Sequence, residues 1–573
     1  MKKKLNELVQ QYLYDEPNEV LRQEINKLLN THDETNFIEL AHRLEKNLEF
    51  GTAGLRGVMQ AGYSCMNHVT VFMFAIAVYE YFCSQNKPKL KVVVGFDARL
   101  NSNDFATEIA RILTLKGCLV YIFDRPIPTP LCAFATKYYE ADIGLMVTAS
   151  HNPKIDNGIK VFDKNAMQMD KNILNTIAKF MNSDISRADF WKKNQKIEHN
   201  FNVSQEVFDA YFAHIKSSQL LPKEPKNKNI AIVYTALHGV GEDFFVKALA
   251  QEGYYNIVSV PEQALPDGNF PTVVFPNPEE EHTLDYAYDL ALKKNINLVF
   301  ANDPDADRLQ VSFLNSQNKF EKLSGNQMGV ILGYFAIKNA LENGIEPIVA
   351  TSIASSRMLK KIADTMGAVY KEALTGFGNI AQVAFKAVNN NNQKIVFTYE
   401  EAIGFLVGDM VLDKDGIISG VRFMEVLAYL DYKQQNIEDF LFELKKQFGV
   451  FKTLQWHIRF HGFDADEKMC KLMKKIRLIS SNELADNLKI NNIKKYDLQN
   501  STGPYEDMHG DVVIFENEDD FRLIIRPSGT EPKIKFYLET INNNTDGDIK
   551  ILKQDLCIKN QHYKESIEKL FLD

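Results

Sequence analysis

The chain has 573 residues, of which 45% are hydrophobic, 25% charged and 11% aromatic, with a formal net charge of −9. At roughly 150 residues per domain this length predicts about three or four domains, and the composition is that of a globular protein able to bury a core in each. The negative charge argues against a surface built to neutralise nucleic-acid phosphates or anionic lipid. The six cysteines include no CxxC pair, which points away from a zinc site or a disulfide framework.

Residues Leu5 to Phe50 carry apolar positions at helical spacing among many charges (Leu5, Leu8, Val9, Leu13; Leu21, Ile25, Leu28, Leu29; Phe37, Leu40, Leu44), which predicts an amphipathic helical lead-in. The basic start, Met1 to Lys4, runs into polar and acidic residues instead of the apolar core of a signal peptide. No stretch reaches the roughly 20 apolar residues of a membrane span. A reducing, cytoplasmic setting with no membrane and no nucleic-acid partner is expected.

Beyond the lead-in, short β-branched runs alternate with helical patterns: Lys91–Gly95, Val120–Phe123, Ile143–Val147, Ile230–Tyr234, Ile296–Ala301, Pro347–Thr351 and Ile395–Thr398. That rhythm predicts α/β layers with parallel or mixed sheets. Ligands of such sheets sit outside the carboxyl ends of strands, so the loops beginning near Thr148, Thr235, Asn302 and Thr398 are where chemistry is expected. Two of them are alike, Thr148-Ala149-Ser150-His151-Asn152 and Thr235-Ala236-Leu237-His238-Gly239, a hint of repeated units. From Val450 the character changes. Phe521–Ile525, the turn Arg526 to Pro532, and Lys533–Glu539 read as strand, tight turn, strand, and predict a separate C-terminal α+β domain.

The sharpest chemical signal is Asp303-Pro304-Asp305-Ala306-Asp307-Arg308. In extended backbone residues i, i+2 and i+4 share a face, so the three carboxylates are expected to converge. At about 4 Å and an effective dielectric near 20, each like-charged pair costs roughly 4 kcal/mol, so the cluster needs a cation or a proton. Oxygen-only ligands suit Mg²⁺. An EF-hand is excluded because the sixth position is Arg308 and the twelfth Leu314. Thr148 to Pro153, followed by Lys160, offers a nucleophile in Ser150 and two proton-transfer groups in His151 and Lys160, although the segment alone reads equally as a Ser/Asn/Pro turn. Arg526-Pro527-Ser528-Gly529-Thr530 joins a guanidinium, two hydroxyls and exposed backbone N–H groups into a phosphate cradle or, equally, a plain hairpin. Gly51 to Gly57, with Arg56, and Gly95 to Arg99 have the same flavour. Gly376 to Ala381 matches a GxGxxA dinucleotide fingerprint with Glu400 about 20 residues on. Against an NAD-dependent oxidoreductase, Tyr370–Thr375 does not read as a buried strand entering the first glycine.

Taken together these segments resemble the α-D-phosphohexomutase superfamily, over about Phe50–Val421 and again Phe521–Leu538, with four motifs in the family's order. The family pattern is a TASHNP loop carrying a phosphoserine (here Ser150), a DxDxDR metal loop (Asp303, Asp305, Asp307, Arg308), a sugar-recognition loop (Glu400-Glu401-Ala402-Ile403-Gly404) and an RPSGTEP phosphate loop (Arg526 to Pro532). The resemblance implies four domains, three similar mixed-sheet α/β units and a smaller C-terminal α+β domain, here expected at 1–215, 216–328, 329–448 and 449–573. It also implies an isomerase that interconverts glucose 1-phosphate and glucose 6-phosphate through a phosphoserine and a bisphosphorylated sugar, with Mg²⁺ as cofactor and glucose 1,6-bisphosphate as activator. Ser150, His151, Lys160 and Arg308 would be catalytic, and Ser150 with the three aspartates would hold the metal. Arg56, His238, Glu400, Ala402, Arg526, Ser528, Gly529 and Thr530 would bind the sugar phosphate. Phe50–Gly57, Phe275–Glu280 and Glu400–Phe405 with Leu412–Gly416 look most like the phosphoglucomutase 2 and phosphopentomutase branch, and pentose and mannose phosphates are alternative substrates. A catalytically inactive sugar-phosphate sensor is the non-enzymatic alternative. Two positions depart from the pattern: Ala402 stands where many members have serine, and Gly378 replaces the lysine of a TGFK stretch, with Lys371 as a candidate substitute.

Overall fold

The computed structural model describes residues 2–30, 34–51, 54–181, 185–194, 201–462, 464–500, 503–529, 532–544 and 547–572. They form two compact units, residues 1–222, 227–323 and 402–425 in the first, and 223–226, 324–401 and 426–573 in the second.

In the first unit the lead-in folds as helices Lys2–Asp15, Glu19–Asn30 and Glu34–Leu44. Their apolar faces bury Leu5, Val9, Tyr12, Ile25, Leu40 and Leu44 together, as the periodicity predicts. Helix His68–Ser84 is apolar nearly all round. Val69 packs into this bundle while Val71, Phe72 and Phe74 pack into the core of the first sheet, so both faces are covered. Asn67 caps that helix by accepting from Thr70 N.

The first sheet runs in the order Phe50–Gly51, Gly54–Val58, Asp156–Asp163, Ile143–Val147, Lys91–Phe96, Leu119–Ile122, Phe201–Asn202. Lys91–Phe96 is parallel to both Ile143–Val147 and Leu119–Ile122, and Asp156–Asp163 returns antiparallel, so the sheet is mixed. Ile143–Val147 is buried along its whole length, which is why it reads as a continuous apolar run without alternation. The second sheet is ordered Phe320–Lys322, Gln310–Leu314, Leu298–Ala301, Ile232–Thr235, Ile257–Ser259. Ala301 pairs in parallel register with Thr235, which sets the loops after these two strands side by side. Gly239 makes the fit possible, since a Cβ there would stand 2.3 Å from Pro304 Cα.

In the second unit Glu346–Ser352 lies between the parallel strands Val369–Ala373 and Gln393–Glu400. The C-terminal sheet is antiparallel, ordered Val450–Arg459, Lys533–Asn542, Phe521–Pro527, Val513–Glu516, Lys494–Asp497. Alternation along it is clean. Phe521, Leu523 and Ile525 face the core shared with helices Ala465–Leu478 and Ile549–Leu572, while Ile524 and Ile514 face Ile353 and Ala354. The architecture is three α/β/α domains with mixed sheets and a C-terminal domain with an antiparallel sheet. The described cysteines are all free, and no described helix is long and apolar enough to cross a membrane.

Candidate active site

Strand Ile143–Val147 ends in a turn that the side chain of Thr148 builds. Its Oγ1 accepts from Ser150 N (2.8 Å) and donates to Asp97 Oδ2 (2.7 Å). Ser150 is left-handed, φ 54°, and 1% exposed. Its Oγ donates to Asp303 Oδ2 over 2.9 Å and lies 3.2 Å from His151 Nδ1. Asp97 also accepts from Ser102 Oγ (2.7 Å) and Arg99 N (3.0 Å). The arginine at this strand end is therefore not an open phosphate contact. Arg99 donates to the carbonyls of Ser150 (2.6 Å), Asn152 (2.6 Å), Pro153 (2.9 Å) and Asp156 (3.3 Å).

The three aspartates converge, but not by extension. The strand stops at Ala301 and the chain curls into a turn, with Ala306 N donating to Asp303 O (2.9 Å) and Ala306 left-handed at φ 53°. One ligand oxygen from each of Asp303, Asp305 and Asp307 lies within 4.8 Å of the others, and all three residues are fully buried. Lys160 Nζ donates to Asp305 Oδ2 (2.6 Å) and Asp307 Oδ2 (2.5 Å), and Lys414 Nζ lies 3.4 Å from Asp307 Oδ2. Thr129 donates its N to Asp305 O (2.9 Å) and its Oγ1 to Asp305 Oδ2 (2.5 Å), seating the aspartate loop on the first helix residue after Pro128.

This geometry splits the titrations. Burial, reinforced by Asp305 and Asp307, pushes Asp303 well above the usual carboxylate range. Against burial, Lys160, Lys414 and Arg308 hold Asp307 far below it, and Lys160 with Thr129 holds Asp305 down. Burial alone would lower Lys160, but the two carboxylates raise it, so its ammonium is fixed as a cation. His151 is pushed well down by burial and by Arg308 and Arg56, leaving a neutral imidazole beside the serine. Asp305 Oδ1 and Asp307 Oδ1 are buried with no hydrogen-bond partner among the described residues. Two orphaned carboxylate oxygens in an all-oxygen cluster fit a hard cation.

Arg308 donates its N to Asp303 Oδ1 (3.0 Å) and its Nη1 to Ala402 O (3.0 Å), and lies 3.5 Å from Glu279 Oε2. Ala402 thus meets the cluster through its carbonyl. Arg56, on strand Gly54–Val58, donates to Asn152 Oδ1 (3.1 Å); Thr52 and Ala53 lie outside the described residues. The His238 ring is bonded to Thr272 Oγ1 (2.8 Å).

The second unit gathers the remaining candidates. Arg526 donates Nη1 to Thr375 Oγ1, and Glu400 Oε1 accepts from Gly376 N (3.0 Å). Ser528 N donates to Lys533 O (2.8 Å) across the hairpin. Gly529 is exposed with open space where a Cβ would stand, and Thr530 lies outside the described residues. Glu401 is bonded by Ser352 Oγ (2.6 Å) and Ser355 Oγ (3.2 Å). Val369–Ala373 forms a strand into the Gly376 turn, but an edge strand with one buried residue and not the buried strand a dinucleotide fingerprint needs, and Glu400 closes on Gly376 N instead of standing free for a ribose. Helix Phe377–Lys386 contains Gly378, and Lys371 is exposed.

Sequence reasoning passed over Lys414, Thr129 and Asp97 as site residues. Leu412 to Gly416 was visible only as a resemblance, and nothing local marks a threonine or an aspartate as a brace.

Three family models match in order: Phosphoglucomutase/phosphomannomutase alpha/beta/alpha domain I over residues 47–188, domain II over 209–315 and domain III over 324–448. A probable phosphomannomutase of Haemophilus influenzae is 37% identical, covering 83% of this chain and 93% of its own length. A probable phosphoribomutase of Schizosaccharomyces pombe is 33% identical over 95% of each chain, and a phosphoglucomutase of Staphylococcus haemolyticus is 31% identical over 86% of this chain and 90% of its own. With all three domain models matched across most of its length, the chain belongs to the α-D-phosphohexomutase superfamily, the mutases of the phosphoglucomutase and phosphomannomutase kind.

Proposed function

We propose that the chain is a phosphoglucomutase that interconverts glucose 1-phosphate and glucose 6-phosphate through phosphorylated Ser150 and glucose 1,6-bisphosphate. The observation that carries this is the 2.9 Å hydrogen bond from Ser150 Oγ to Asp303, within a buried triad that keeps two orphaned oxygens. Ser150, Asp303, Asp305 and Asp307 would hold Mg²⁺. When bound, such an ion supplies charge neutralisation to a phosphoryl group in flight.

The chain's own residues account for the rest. A phosphoryl group on Ser150 carries about −1.5 to −2 charge and needs cations close by. Arg308 and Lys160 are those cations, oriented by Ala402 O and by the two aspartates. As the P–O bond to Ser150 breaks, a new one forms to a sugar hydroxyl, whose proton passes to a neutral base. His151 fits that task, because its imidazole is held uncharged, whereas Lys160 is held protonated. The bisphosphate then turns round and returns its other phosphoryl to Ser150 Oγ. Arg526, Ser528, Gly529 and Thr530 would take the distal phosphate, Glu400 the sugar hydroxyls, and Arg56 and His238 would contribute to binding. Glucose 1,6-bisphosphate would also prime an unphosphorylated enzyme.

A pentose phosphate is the second reading, supported by the Schizosaccharomyces pombe relative, which covers 95% of the chain. Coupled assays with Mg²⁺, a trace of glucose 1,6-bisphosphate, and glucose, mannose or ribose 1-phosphate in parallel decide between them. Glucose-dominated turnover supports the first reading and a ribose preference the second. A folded protein inert toward all three sinks both and favours a sensor.

A further inference from the structure

We propose that Arg99 is a positioning residue for Ser150: its guanidinium grips the serine loop by its backbone carbonyls and so keeps Ser150 Oγ aimed at Asp303. The inference rests on the phosphoryl-carrier role proposed above for Ser150. A non-glycine residue at φ 54° persists only where its surroundings over-determine it. Both peptide groups flanking Ser150 are tied to one buried ion pair at the end of strand Lys91–Phe96. On the N-terminal side, Ser150 N is held by Thr148 Oγ1, which is held by Asp97. On the C-terminal side, Arg99 Nη2 takes the carbonyls of Ser150 and Asn152, and Nη1 those of Pro153 and Asp156. Arg99 Nε lies 3.4 Å from Asp97 Oδ2, which closes the clamp.

The same guanidinium reaches the domain that carries the aspartates. It lies 5.0 Å from the centroid of the Phe270 ring, and the Arg99 backbone bridges Gly268, where a Cβ would come within 2.5 Å of Leu100 N. Arg99 therefore sets the serine loop in register with the second domain, whose Asp303 receives the serine hydroxyl. At 3% exposure, with both Nη groups committed to carbonyls and Nε within 3.4 Å of Asp97, it is not a phosphate ligand. Lysine, a point charge on a single stem, cannot span four carbonyls in different directions.

The test compares full-length wild type, Arg99→Lys and Phe270→Leu by thermal melting, by hydrogen exchange of residues 148–156, by the mass of the Ser150 peptide after glucose 1,6-bisphosphate treatment, and by kcat and KM on the preferred sugar phosphate. In Arg99→Lys the loop should exchange faster and kcat should fall by about 100-fold, with KM within about threefold of wild type. Phe270→Leu, which keeps every carbonyl contact, should lower kcat by a few-fold in the same way, and serves if Arg99→Lys does not fold. Unchanged kcat and loop exchange in a folded Arg99→Lys, or unchanged kcat in Phe270→Leu, overturns the proposal. So does a rise in KM at constant kcat, which would make Arg99 a ligand contact. Wild type that turns over sugar phosphate without ever carrying phosphate on Ser150 removes the carrier role instead, and the exchange data then show separately whether Arg99 holds the loop.

Discussion

Lys160 Nζ donates to Asp305 Oδ2 over 2.6 Å with both groups buried, so the triad already has a cation that belongs to the protein. The sequence-level expectation that three converging carboxylates need positive charge is met in part by a lysine 145 residues away.

Replacing Asp305 with Asn keeps the shape of the loop and removes one of the two orphaned oxygens' charges. Turnover is expected to fall by at least about 100-fold, and the rise in melting temperature expected on adding Mg²⁺ to wild type should be absent from the variant. Turnover close to wild type, equally sensitive to chelator, would contradict the assignment of Asp305 to the metal.

Ser150→Ala and Ser150→Gly should both lack the phosphoserine and mutase turnover while remaining folded. The glycine variant relieves the left-handed backbone and should be at least as stable as the alanine one, by on the order of 1 kcal/mol. Chemical denaturation of the pair reads this directly. An alanine variant clearly more stable than the glycine would show that the positive φ at Ser150 carries no strain.

Arg526 donates to Thr375 Oγ1 and to Pro527 O (3.3 Å), and neither bond holds a core together. Arg526→Ala should therefore weaken sugar-phosphate binding by about tenfold or more while the melting temperature moves by only a few degrees. A collapsed melting temperature with unaltered KM would mark the segment as a structural hairpin.

Tyr211 OH donates to Asp415 Oδ2 (2.9 Å), and Asp415 Oδ1 caps a helix by accepting from Ile417 N and Ile418 N (both 2.9 Å). Burial outweighs these bonds and pushes Asp415 up to about 7. A raised folded-state pKa means the native protein binds a proton that the unfolded chain releases near pH 4. The resulting stability is full below that pH and is lost as pH rises to about 7. Asp415→Asn should flatten the fall in stability between about pH 4 and 7 relative to wild type, by up to about 4 kcal/mol. Parallel pH–stability curves for the two proteins would refute the shift.

Much of this fold was legible because its signals are local. Ile143–Val147 is a buried strand whose apolar run is unbroken, and the lead-in helices show their buried stripe as a period. The motif residues were legible as residue types at fixed spacing, yet the way the aspartates meet was not: extension predicts a shared face, and the chain instead curls at Ala306. Lys414 and Thr129 reach the cluster from far along the chain, and contacts of that kind leave no mark in the sequence around either partner. Val369–Ala373 was missed as a strand because, at a sheet edge, only Ala373 is buried and no apolar run betrays it.

The turn that presents Ser150 occurs twice. Thr235 Oγ1 accepts from Leu237 N (3.0 Å) as Thr148 Oγ1 does from Ser150 N, and Leu237 sits at φ 48° beside the 54° of Ser150. The likeness of the two loops is thus a likeness of backbone, and the left-handed residue recurs in the second domain, where the side chain is an inert leucine. What differs is the anchor. Thr235 leans on the neutral Gln263 Oε1 (2.7 Å), whereas Thr148 leans on Asp97, the partner of Arg99. The two domains share the mould, and the added ion pair distinguishes the copy that carries the serine hydroxyl.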